Sequence, residues 1–137
     1  MTTPLRQQGH KFTRNAGAAI AKRRILKFGA NDENMVQAAA ATDLLIGVSD
    51  DAGDIPAPSG SNVYRVDVID SGIVHVDCGG TVALGAFVTS DANGKAVAAA
   101  PAAGANVNII GQALSAGVNN SIISIHIVKG VIQGPAT

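Results

Sequence analysis

The chain has 137 residues, ten Lys/Arg against ten Asp/Glu, one cysteine, no Trp, one Tyr (Tyr64) and three Phe (Phe12, Phe28, Phe87). That length fits one domain with a light core of Ala, Val, Ile and Gly; the lone Cys78 excludes an intramolecular disulfide, and no window approaches the roughly 20 apolar residues of a membrane span. The neutral total hides a gradient: seven of the ten bases precede residue 28, no acid precedes Asp32, and the remainder carries three bases against ten acids, a net −7.

Residues 1–14 have no apolar period and no acid, and read as an extended basic arm. The run Ala16–Ala21 is too short and too flanked by charge for a signal peptide, so secretion is not expected. As a helix, residues 18–28 would place Ala19, Arg23 and Leu26 along one side and Ile20, Arg24 and Lys27 along another. Bases interrupt both stripes, so a strand over Ile25–Phe28 is preferred. A polar turn follows at Ala30–Asn34, an Ala run at 38–42 reads as loop or a single helical turn, and Leu44–Val48 reads as a buried strand. The segment 49-SDDAGDIPAPSG-60 reads as a solvated loop.

Strict alternation marks the next strands. In Asn62–Ile69, Tyr64, Val66 and Val68 share a face; in Ile73–Asp77, Val74 and Val76 do. If Asp70-Ser71-Gly72 is a hairpin loop with Gly72 at positive φ, Val68 opposes Val74, and the outward pairs Asp67–His75 and Arg65–Asp77 are complementary. Further on, Phe87–Thr89 and Asn108–Ala113 read as strands around a turn at Asp91–Lys95. Pro101 and Gly104 oppose a helix in 98–105. In 121-SIISIHIV-128, Ile123, Ile125 and Ile127 alternate with Ser124 and His126, and 131–137 form a tail.

The parts recur in the same order. With Gly17 placed over Gly80, Gly47 falls near Gly111, which suggests an internal repeat of about 16–69 and 79–128. Two copies are too few for a solenoid. The expected fold is therefore all-β: a small β-barrel or β-sandwich over 15–130, built from two similar β-rich halves behind the arm.

Few residues are placed for chemistry. On a strand, Cys78 points away from His75 and Asp77. His10, His75 and His126 lack zinc-site spacing, and Asp50, Asp51 and Asp54 lack the pattern and closing Glu of a calcium loop. The segment 93-NGKAV-97 is not a phosphate loop, and no G-x-S-x-G elbow occurs. No catalytic residue, metal or cofactor is assigned, and an enzyme is not expected. Nucleic-acid binding would want a helix-turn-helix, a stacking platform or a net positive domain, so direct contact with nucleic acid is not expected either. The basic segment fits docking on an acidic protein surface, through Arg6, Lys11, Arg14, Lys22, Arg23, Arg24 and Lys27.

The stretches 79-GGTVALGAFVTSDANGKAVAAA-100, 109-IIGQALSAG-117 and 122-IISIHIV-128 resemble the capsid cement (head decoration) proteins of tailed bacteriophages. So do 16-AGAAIAKRRILKFG-29, 42-TDLLIGVSD-50 and 66-VDVIDSGIVHVDCGG-80, although Lys22-Arg23-Arg24 departs from the pattern where the second copy has Leu84-Gly85-Ala86. The resemblance implies a virion protein on the outer capsid surface that bridges major capsid protein subunits, self-associates as a homotrimer or dimer, and touches no membrane. The alternative is a host- or carbohydrate-binding β-module displayed on a virion, which would want exposed aromatic side chains.

Overall fold

The computed structural model describes residues 7–29, 34–55 and 64–135, with side chains from 9–29, 34–50 and 64–135. The described residues form strands and turns, without a helix. The strands are β1 (Gln7–Gln8), β2 (Lys11–Ala16), β3 (Ile25–Phe28), β4 (Asn34–Gln37), β5 (Leu45–Ile55) and β6 (Tyr64–Ile69), then β7 (Gly72–Asp77), β8 (Phe87–Ser90), β9 (Ala96–Ala98), β10 (Asn106–Ala113) and β11 (Ile122–Gln133).

Strands β2-β4-β3-β5-β6 close into a barrel. Closure needs β2 to pair on both edges. It runs antiparallel to β6 from Lys11–Ile69 to Ala16–Tyr64, and parallel to β4 at Asn15–Asn34 and Ala16–Met35. The other sheet has the order β1-β7-β11-β10-β8-β9, and a parallel bridge from Cys78 to Ala96 brings β9 back beside the end of β7.

The two halves are wired alike. Gly17 N donates to Met35 O at 3.1 Å, and Gly79 N donates to Ala96 O at 2.8 Å. Arg23 N donates to Ser49 O and Gly85 N to Ala113 O, and both donors have positive φ, 57° and 84°. Leu26 opposes Gly47 as Val88 opposes Gly111. Hydrogen bonding thus sets Gly17 with Gly79, one place from the sequence alignment. It also adds a first strand to each half, β2 and β7, ahead of the boundaries read from sequence.

Equivalent positions fill the two interiors. Ala16, Ile20, Leu26, Val66 and Val68 in the first half correspond to Cys78, Val82, Val88, Ile123 and Ile125 in the second, all buried. The equivalence ends on the outside. Ile25, Val48 and Ile69, on the outer face of the first barrel, are buried in the same cluster as the second half's interior. One core therefore spans the join, and area removed from water there stabilises both halves together.

Four expectations need correction. The tail expected over 131–137 is strand as far as Gln133, because β11 runs on alongside β10 from Asn108–Val131 to Asn106–Gln133. Strands β6 and β7 are not a hairpin: Val68 opposes Phe12 and Ser49, while Val74 opposes Ile125. Gly72 does have positive φ, 88°, but the turn hands the chain from one half to the other. Each alternating strand pairs elsewhere, β6 with β2 and β5 and β7 with β11 and β1. The supposed loop after Ser49 is strand as far as Ile55. Finally, the arm expected over 1–14 is partly structural. Lys11–Arg14 belong to β2, and Gln7–Gln8 pair with β7 at Ile73 and Gly72. Residues 1–6 lie outside the described residues, as do residues 30–33 of the turn expected at Ala30–Asn34.

Candidate functional site

The basic segment is the feature the sequence singles out, and folding largely neutralises it. Asp77, at the end of β7, accepts from Arg23 Nε at 2.7 Å and also from Arg24 Nη1. All three side chains are only 17% exposed, so the pair is shielded from solvent. Lys27 Nζ lies 3.5 Å from Asp43 Oδ2, and Lys11 Nζ lies 3.3 Å from Asp50 Oδ2 and 3.9 Å from Asp67 Oδ2. The charge gradient along the chain collapses in space because β2 and β3 lie beside strands and loops that carry these acids.

Two cations of the segment remain without an ion pair among the described residues, Arg14 and Lys22. Arg14 is exposed on β2, its guanidinium 5.7 Å from the centroid of the Phe12 ring, a cation–π contact. Lys22 is exposed on the turn before β3. Arg6 lies outside the described residues. The six described bases therefore do not form one open patch; four of them are paired with named carboxylates.

The backbone around the pair is fixed by Ser49, buried on β5. Its Oγ accepts from Arg24 N at 2.9 Å and donates to Ala21 O at 2.8 Å. Burial pushes the Asp43 carboxyl up, and the amides of Ala39 and Ala40 together with Lys27 more than offset this, so the group sits below its ordinary value. Burial, with the Asp77 charge beside it, pushes the Cys78 thiol up, which disfavours a nucleophilic thiolate. Among the described residues no group of three or more His, Cys, Asp or Glu is placed to hold a metal ion. Tyr64 is half-buried against the first interior.

The structure shows apolar surface that the sequence reading did not single out. Phe28 and Leu44 are exposed together on the first half, where Phe28 N donates to Leu44 O at 3.2 Å. Leu84, Phe87 and Leu114 are exposed on the second half around the Gly85–Ala113 hydrogen bond. Their signal in the sequence was the strand phase: Phe87 falls on the face opposite Val88.

The class this fold defines is all-β: a closed five-stranded barrel and a second, similarly wired sheet, joined by a core cluster that draws on both. Within it, the structure is similar to that of the N base of the head fibre protein gp8.5 of bacteriophage phi29, with a TM-score of 0.61 and 18% sequence identity over 87% of this chain and 93% of that one. No protein family matches the chain, and no curated protein matches it.

Proposed function

We propose that this chain is a structural protein of a tailed-phage head: a cement that sits on the outer capsid surface, bridges major capsid protein subunits as a homo-oligomer, and performs no chemistry. The observation that carries the reading is the likeness in fold to a phage head fibre base across nearly the whole of both chains. The character of the side chains supports it. The exposed apolar residues Phe28, Leu44, Leu84 and Phe87 offer surface for docking. Repeated contacts to identical subunits turn modest single contacts into high avidity.

With Lys11, Arg23, Arg24 and Lys27 held by carboxylates of the same chain, the basic segment offers the shell few free cations. Binding should then depend only weakly on salt. The test is co-sedimentation of the purified chain with undecorated heads across salt concentrations, followed by a map of the decorated particle. Saturable binding with regular density on the shell supports the proposal. Absence of binding at every salt concentration overturns it.

A further inference from the structure

The join between the two halves is heterologous: the outer face of the first barrel meets an end of the second. Hydrogen bonds cross it besides the Asp77 ion pairs. Ile25 N donates to Gly94 O at 2.7 Å, Asn108 N donates to Ala41 O at 2.8 Å, and Asn108 Nδ2 donates to Asp43 O at 2.7 Å. The covered row is Ile25–Val48–Ile69, directly opposed across β3, β5 and β6.

Because the halves are wired alike, each side of this join has a counterpart elsewhere on the molecule. The row equivalent to Ile25–Val48–Ile69 is Phe87–Gln112–His126, across β8, β10 and β11. It is uncovered, with Phe87 45% and neighbouring Leu84 70% exposed. The end equivalent to Ser90 and Asn108 is formed by Phe28 and Leu44, 52% and 70% exposed. At the join, Ser90 is buried and Asn108 is satisfied by backbone carbonyls. At the free counterpart both positions carry large apolar side chains. Solvent-facing copies of Ser90 and Asn108 gain nothing by becoming Phe and Leu; copies that pack against another barrel do.

We infer that a second copy of this chain docks head to tail, the Phe87 face of one molecule covering the Phe28–Leu44 end of the next. The contact repeats the internal join between molecules. It lacks the Asp77 lock, since Asn15 stands at the position of Asp77 and Gly85 at that of Arg23, so it is weaker than the join. A heterologous contact closes into a ring or runs on as a filament, according to its rotation. The inference does not depend on the virion assignment; a chain that never met a capsid would still associate this way.

The test uses the full chain in sedimentation velocity over roughly a thousandfold range of concentration. The wild-type chain should associate as concentration rises. Phe87→Glu and Leu44→Glu should each weaken association by roughly tenfold or more. Both sites are exposed, so thermal unfolding midpoints close to wild type check that each variant folds. The decisive sample is an equimolar mixture of the two variants. Each retains the surface the other has lost, so the mixture should form dimers and nothing larger. A wild-type chain that stays monomeric throughout, variants that associate as wild type does, or a mixture that stays monomeric would each overturn the inference.

Discussion

Arg23 Nε, in the turn ahead of β3, lies 2.7 Å from the Asp77 carboxylate at the end of β7, across the join between the two halves. The same aspartate takes Arg24, and its own amide donates to Arg23 O at 3.2 Å. One residue of the second half thus answers two cations and a carbonyl of the first. Asp77→Ala would leave two guanidinium groups in a partly buried site without their acceptor. A loss of about 2–3 kcal/mol is expected, read in chemical denaturation, with a smaller loss for Asp77→Asn. A midpoint within error of wild type would mean that the pair contributes nothing to holding the halves together.

Glycine 94 supports the same join by being small. Its φ is +71°, and an added Cβ would meet Gln37 Cγ at 2.5 Å and Ile25 O at 3.2 Å. Gly94→Ala should cost more than about 2 kcal/mol, combining the left-handed backbone penalty with a clash across the halves. Gly85 makes a matched control. It has φ +84° with nothing within 4 Å of an added Cβ, so Gly85→Ala should cost only about 1 kcal/mol. Equal losses would show that the close approach at Gly94 is relieved at no cost.

The Asp43 carboxyl sits below its ordinary value in the folded chain, for the reasons given above. The unfolded group titrates near about 3.9. A depressed folded value means that its contribution is complete above that pH and is lost as pH falls through the folded value. Asp43→Asn should therefore be less stable than wild type by about 1–2 kcal/mol at neutral pH, and the gap should shrink steadily below about pH 4. A gap constant from pH 7 to pH 2 would show that the charge is not the stabilising element.

Cys78 is fully buried, its thiol raised by burial and by Asp77. A thiol reagent at neutral pH should label the native chain at least about a hundredfold more slowly than the chain in denaturant. Fast stoichiometric labelling of the native protein would place Cys78 at the surface.

Much of the local structure was legible. Strict alternation located β6, β7 and β11, and Pro101 and Gly104 kept the Ala-rich segment before β10 out of a helix. Pairing partners were not legible. Complementary charges at Arg65 and Asp77 suggested a hairpin, yet Asp77 serves Arg23 and Arg24, more than fifty residues away. Alternation says which residues share a face; it does not say which strand lies alongside. The basic segment misled for the same reason. A run of cations looks like an open patch until the acids that fold against it are known, and those are spread from Asp43 to Asp77. The apolar pair Phe28 and Leu44 was hidden because Phe28 is the last residue of β3 and Leu44 directly precedes β5, where strand phase no longer assigns a face.

The burial of Ile25, Val48 and Ile69 beneath the second half has a consequence for synthesis. When the ribosome has delivered residue 69, every strand of the first ring exists, and the ring can close. Its greasiest flank then stays bare until the later strands emerge. A nascent or prematurely terminated chain ending near that point would be a sticky species, and a cell making this protein in quantity would need translation of the second half to outpace collisions between unfinished first halves.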